Sequence, residues 1–346
     1  MLIDWMSLKL SRDSCSDWSG WSVLSNWGDR IQRVCPRTGD VRWSTDAWDS
    51  VRSDSHQVVI RASESSFCVQ GSPARVMGSG DTVFGFGSAG RDPRMCARSM
   101  IDFAAQHLGV VDVPHLQLWN CSRFDVTKNF ILSSLADVRI ALAELRSVEG
   151  GRYRVSQQAG DTVYWSHLSR LRSGKAYAKG PHLDYLHSKK TYLGCSYEQS
   201  DHLLANRLLR LELKLGSEFM RRLRSDSNVR WYDLTWEFLS KEHDSFFGRM
   251  LGDIEVLDMS MLDRLIQVAP TEGRAKAAFR TWGLIQSLGW QSTKESMPKP
   301  TWYKHLQYLK AAGLGDVDIS TGRIVSLRRR IVLNPVSSWE ELRNAA

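Results

Sequence analysis

The sequence predicts an α+β protein in two parts. Residues 1–255 form an antiparallel-sheet domain and residues 256–346 a small, mainly helical, winged-helix-like domain. Three patterns predict this. The segments IDWMSLKL (3–10) and LLRLELKL (208–215) alternate at period two, the mark of strands buried on one side. Short apolar runs joined by polar turns mark hairpins. From about residue 234 the apolar residues recur instead at helical spacing.

In chain order, the opening strand sets Ile3, Trp5, Ser7 and Lys9 on one side and Asp4, Met6, Leu8 and Leu10 on the other. Gln57–Ala62 and Ser66–Gln70 pair around a polar turn. The densest Gly/Ser stretch, GSPARVMGSGDTVFGFGSAG, follows and reads as a tight turn, with a phosphate-binding nest as the alternative. Pro93–Leu108 has helical spacing, and Leu116–Thr127 is the next strand. In Ser133–Val148, Leu135, Val138, Ala141, Leu142 and Leu145 share one stripe, and Gly150-Gly151 stops the helix. Asp161–Ser166 and Arg172–Lys179 read as strands, although the second could enter a helix. In Leu208–Leu215, Leu209, Leu211, Leu213 and Leu215 face a core, while Arg210, Glu212 and Lys214 face away. Beyond a soft boundary near 256–270 come a helix at Glu272–Leu288, a helix at Pro300–Ala312 ended by Gly313 and Gly315, and a basic ribbon at Arg323–Leu333.

A chain of 346 residues with 42 % hydrophobic content and no apolar run of membrane-spanning length reads as a folded soluble protein. The early acid and missing cleavage site of MLIDWMSLKL argue against a signal peptide. The six cysteines show no CxxC pair and no Cys/His zinc spacing, so they read as reduced thiols. A net charge of +8 favours polyanionic partners. The fourteen tryptophans serve mainly as core, with some available for stacking on unpaired bases.

Against this cationic background, isolated polar groups stand out on three strand-like segments. They are Arg123 and Asp125 in SRFDVT, Tyr177 and Lys179 in KAYAKG, and Arg210, Glu212 and Lys214 in LLRLELKL. A tyrosine hydroxyl can attack a DNA phosphate and conserve the bond energy in a covalent link. A divalent metal ion, Mg²⁺ or Mn²⁺, would offset the phosphate charge, and such ions take oxygen donors from one or two carboxylates. Asp125 and Glu212 supply these if their strands are neighbours. Parity sets Asp125 on one face with Arg123, Cys121 and Trp119, and Glu212 with Arg210 and Lys214. The cations Arg123, Arg210 and Lys214 are available for DNA phosphates. Lys179 shares a face with Tyr177 if the segment is extended, where it would lower the phenol pKa or clamp the phosphate. Taken singly, Asp125 and Glu212 read first as surface charges or structural ion pairs, and Tyr177 reads first as a buried aromatic.

Several segments together resemble the filamentous-phage gene II/X-type replication initiators. They are IDWMSLKL, SPARVMGSGDTVFG, SRFDVT, DTVYWSHLSRLRSGKAYAKG and LLRLELKL, in that order across residues 1–215. The resemblance implies a rolling-circle-initiator (HUH-like) nickase core. Such a core cuts the plus strand of supercoiled double-stranded phage DNA through a phosphotyrosine and later rejoins the displaced single strand. It carries the nucleophile to Tyr177 and the recurrent acids to Asp125 and Glu212. It also implies work in the host bacterial cytoplasm beside a host helicase and DNA polymerase, with no membrane partner. One departure is the absence of the His–hydrophobic–His motif that names the wider superfamily: His115-Leu116-Gln117 keeps only its first member. The ligand set stays open, with His56 as a candidate third ligand. Tyr185, Tyr192 and Tyr197 stay open as alternative or second nucleophiles.

The string Gly85–Gly90 satisfies GxGxxG, but no βαβ unit frames it. No Walker A sequence occurs, so ATP-driven unwinding falls to a separate helicase. In the tail, Lys304, Lys310 and the run Arg328, Arg329 and Arg330 are candidate phosphate contacts, the run as the wing of a winged helix-turn-helix. Two rivals remain: a non-catalytic origin-binding or copy-control protein, and a tyrosine recombinase, whose Arg/His constellation is missing here.

Overall fold

Alternation in the first 215 residues builds one antiparallel sheet, seen in a computed structural model of the chain. The structure describes residues 2–27, 29–52, 57–77, 81–87, 89–146, 155–156, 160–188, 195–251, 261–322 and 335–345. The strands are β1 (Leu2–Ser11), β2 (Arg30–Val34), β3 (Val41–Asp46), β4 (Asp49–Arg52), β5 (Gln57–Ala62), β6 (Ser66–Gly71), β7 (Trp119–Ile131), β8 (Val155–Ser156), β9 (Thr162–Trp165), β10 (Arg172–Ala178), β11 (Leu208–Leu215) and β12 (Pro335–Val336). Their order is β4-β5-β6-β1-β7-β11-β10-β9-β8, with β12 on β7 past the start of β1, and β2 and β3 form a separate hairpin. The strands expected at 3–10, 57–62, 66–70, 161–166 and 208–215 form; the one expected at 116–127 begins only at Trp119, after a 3₁₀ turn at Leu116–Leu118, and runs on to Ile131.

The helices are α1 (Gly20–Leu24), α2 (Pro73–Val76), α3 (Pro93–Leu108), α4 (Leu135–Arg146), α5 (Lys179–Ser188), α6 (Gln199–Ala205), α7 (Ser217–Ser227), α8 (Trp236–Leu251), α9 (Met261–Val268), α10 (Glu272–Leu288), α11 (Trp290–Glu295), α12 (Lys299–Ala311) and α13 (Asp316–Thr321), with a last helix at Trp339–Asn344. The α3 helix begins where Asp92 caps the amides of Arg94 and Met95 with Pro93 at its first turn. It ends at Gly109, whose φ of 66° suits glycine.

One face of the sheet is the core. Met6, Leu8 and Leu10 of β1, Phe124 and Val126 of β7, and the four leucines Leu209, Leu211, Leu213 and Leu215 of β11 pack there with residues of α3, α4, α7 and α8. Gly174 on β10 leaves room for the Phe246 ring, which a Cβ would strike. Half of the tryptophans are buried: Trp21, Trp119, Trp165, Trp231, Trp282, Trp290 and Trp302. All six cysteines are free thiols.

Two β-bulges break the alternation, and both correct the parity expected from sequence. Between Ile3 and Trp5 the pairing to β7 skips Asp4, and between Cys121 and Arg123 it skips Ser122. Ile3 therefore joins Met6, Leu8 and Leu10 in the core, while Asp4 turns to the opposite face. Trp119 and Cys121 likewise lie in the core, so they do not share the face of Arg123 and Asp125.

In the tail the expected helices form as α10 and α12, with the short α11 between them. Leu265, Ala278, Trp282, Trp302, Leu306 and Leu309 belong to an apolar core of their own. The ribbon expected at 323–333 lies outside the described residues, as do His56, Tyr192, Arg328, Arg329 and Arg330. No helix among the described residues is long and apolar enough to cross a membrane.

Candidate active site on the open face of the sheet

The face opposite the leucines collects the polar residues of four adjacent strands. Register sets them in rows: Lys214 of β11 faces Asp125 of β7, which faces Trp5 of β1. One row along, Lys175 of β10 faces Glu212, which faces Thr127. In the next row Tyr177 faces Arg210, which faces Asn129. Asp125 and Glu212 are thus diagonal neighbours on one surface, within reach of a shared ion by ordinary sheet geometry.

Tyr177 is 3 % exposed. Burial pushes its phenol up to about 12; Arg210 and Lys175 pull the other way, and Glu212 and Asp4 reinforce the rise. Arg210 stands opposite Tyr177 in the strand register and its charge favours the phenolate, and the Lys175 ammonium lies 4.2 Å from the centre of the Tyr177 ring. The His182 ring meets it edge-on at 5.1 Å. The lysine set against the phenol is therefore Lys175, not Lys179. Lys179 is not the extended neighbour that parity suggested: it opens α5 and is buried. Burial, then repulsion from Arg210, drops its pKa well below the usual lysine range. Gly180 follows because α5 runs against Asn206, whose backbone would lie 2.7 Å from any Cβ.

Asp125 is buried and accepts both fork nitrogens of Arg123, whose guanidinium also stacks on Trp5 at 5.5 Å. Burial raises the Asp125 pKa and the Arg123 pair only partly offsets it. Glu212 lies 3.9 Å from Lys175. Its carboxyl is raised to about 7, by burial first, with Lys175 opposing and Asp125 and Asp4 adding to the rise. For Lys175 burial works against the charge, but Glu212 and the phenols of Tyr177 and Tyr164 outweigh it and raise its pKa.

The expectation that Arg210 meets DNA is overturned. Its side chain is buried and its guanidinium is committed within the protein, to Asn129 Oδ1 at 2.8 Å and to the carbonyl of Val83. Asp4 Oδ2 lies 3.7 Å from it. Val83 belongs to the Gly/Ser-rich block, and its carbonyl also accepts from Asn129 Nδ2. Asp81 holds this turn by taking the Val83 amide, the Tyr197 hydroxyl and the Trp339 indole. Tyr197 is thereby a structural tie, and Tyr185 is exposed on α5.

The remaining cations vary in freedom. Lys214 reaches the His167 carbonyl at 3.3 Å and is only partly exposed. Lys304 on α12 is exposed over the Tyr308 ring, whereas Lys310 is paired with the buried Asp316 at 2.5 Å.

Sequence alone missed Asp4, which strict alternation assigned to the core. An acid among Met6, Leu8 and Leu10 was itself the signal that a bulge intervenes. Lys175 was legible by period two from Tyr177 but was passed over in favour of Lys179.

Among the described residues no group of three or more His, Cys, Asp or Glu is arranged to hold a metal ion. The donor chemistry nevertheless fits a hard divalent cation. Asp125 and Glu212 are oxygen donors on one face, and Glu212 is kept from its charge by burial and by two further acids, so a cation beside it would be favoured.

The family of phage replication-associated proteins of the gene II type, represented by their N-terminal region, matches residues 2–236. No curated protein matches. Among solved structures, a rolling circle replication initiator protein from Geobacillus stearothermophilus is similar at 10 % identity, covering 93 % of this chain and 97 % of that one, with a TM-score of 0.27.

Proposed function

Because the chain belongs to the family of gene II-type phage replication-associated proteins, we propose that it initiates rolling-circle replication by nicking the plus strand of supercoiled phage DNA through Tyr177. What supports the reading is the meeting, on one sheet face, of a phenol paired in register with a buried guanidinium and the two acids Asp125 and Glu212.

In this reading the Tyr177 oxygen attacks phosphorus, the bond to the 3′-oxygen breaks, and a 5′-phosphotyrosine and a free 3′-hydroxyl result. A phenol with a pKa near 12 is protonated at neutral pH, so attack needs a proton acceptor. The His182 imidazole, edge-on to the Tyr177 ring and kept neutral by burial, stands beside the phenol for that role. Arg210 steadies the phenolate that forms, and Arg123 stands at the exposed rim to meet the phosphate. Asp125 and Glu212, with Asp4 beside them, would hold Mg²⁺ or Mn²⁺, which when bound offsets phosphate charge. The 3′-hydroxyl then primes a host polymerase behind a separate helicase in the host cytoplasm, and a second transfer rejoins the displaced strand. Residues 256–346 form a separate domain in this reading and assist duplex binding through Lys304 and the arginines Arg328–Arg330.

Incubation of the purified protein with supercoiled origin plasmid and Mg²⁺, with and without chelator, tests this. Open circles carrying covalent protein only when metal is present are expected. The burial of Tyr177 favours one rival, a non-catalytic origin binder, and retarded but intact plasmid would establish it.

A further inference from the structure

β11 stops at Leu215, opposite Phe124, so the first residues of β7 have no strand beside them on that side. The α7 helix and residues 229–232 take its place and leave a cavity of about 340 Å³. Its floor includes Trp119 and Trp231, joined where the Trp231 indole donates to the Trp119 carbonyl at 2.6 Å. Its walls carry Arg221, Arg224 and Arg230, all exposed, and no carboxylate lines it among the described residues. Glu218 answers Arg221 from outside the cavity, but Arg224 and Arg230 have no acid within ion-pair distance among the described residues. Ser122, the bulged residue of β7, lines the cavity. It lies three residues, about 10 Å of strand, from Asp125. Arg123, next in sequence, points onto the site face, so cationic side chains run from the acids to the groove.

A groove with two unanswered guanidiniums and no carboxylate among its described lining suits a phosphodiester chain. Resting on the nickase reading, we propose that this groove is a second DNA-contact site, in which Arg224 and Arg230 grip the backbone of the single strand running past the Tyr177 centre.

The test is the salt dependence of binding of the full-length protein to a 20-nucleotide origin single strand, read by fluorescence anisotropy. Loss of two phosphate contacts in the double variant Arg224→Ala/Arg230→Ala should lower the slope of log K against log salt by about 1.4 and weaken binding about tenfold or more. The charge-conserving pair Arg224→Lys/Arg230→Lys should keep the slope. So should Arg222→Ala, on the same helix but outside the groove and paired with Glu218. An unchanged slope in the alanine pair, with the fold intact by thermal melting, overturns the groove. The two ideas separate cleanly. A covalent adduct with an unchanged slope leaves the nickase standing and removes the groove, whereas a reduced slope without any adduct supports the groove and removes the nickase.

Discussion

Arg210 donates from a fully buried position to the carbonyl oxygen of Val83, 127 residues earlier in the chain. The Gly/Ser-rich block thus acts on the site through its backbone: Asp81 fixes the turn, Val83 offers an acceptor, and Arg210 is held against Tyr177. Burying a guanidinium is costly unless its donors are answered, and here Asn129 and Val83 accept from it while Asp4 lies 3.7 Å away.

Arg210→Lys should therefore fail structurally as well as functionally. An ammonium lacks the planar fork that reaches Asn129 and Val83 together. We expect a loss of about 3 kcal/mol in chemical denaturation. A variant within about 0.5 kcal/mol of the parent would mean that these contacts carry little.

Tyr177→Phe removes only the hydroxyl, so the ring keeps its place between Lys175 and His182. Covalent protein–DNA adduct should vanish while retardation of duplex DNA stays near normal. Adduct at the parental level would move the nucleophile to another tyrosine.

Asp4→Asn tests the acid that the first bulge delivers. It leaves a side chain of the same shape 3.7 Å from Arg210 but removes a negative charge felt by Glu212, Lys175 and Tyr177. Nicking should slow by about 10- to 100-fold, the range of lost metal support, with melting temperature unchanged or higher. Full activity would exclude Asp4 from the centre.

His243 lies on the reverse of β11, buried, with Nε2 3.1 Å from the Leu211 carbonyl. Burial lowers its pKa below the ordinary 6.5, and the Lys128 charge adds to this; the Asp244 carboxylate and the Leu211 bond oppose it. Below pH 6.5 the unfolded chain then takes up the proton more readily than the folded one, so stability is full above that value and falls as pH drops towards the folded pKa. Denaturation midpoints between pH 7.5 and 5.5 should decline, and His243→Gln should flatten the decline. Equal slopes for both proteins would assign the acid sensitivity to other groups.

Much of the fold was legible because it depends on local periodicity. The leucines of LLRLELKL, the stripe of α4 and the cap of α3 each announce their element in a few residues. The face that Glu212 takes opposite the four leucines of β11 was also legible, but that β11 lies beside β7 and so sets Glu212 diagonal to Asp125 was left open by the sequence. Where alternation was interrupted it misled. Ser122 is an ordinary residue whose extra place in the ladder is set by the partner strand, so Cys121 changed sides unannounced; at the other bulge the acid Asp4 among apolar neighbours was the only signal.

The amino-acid sequence by itself determined which segments extend, which coil, and that an acid or a phenol interrupts a basic, half-buried surface. Tertiary structure alone decided that Asp4 joins that surface and that Arg210 is sealed inside it. The reason is range. Periodicity is written within one strand, but bulges, burial and charge depend on neighbours more than a hundred residues away, which only the assembled sheet brings together.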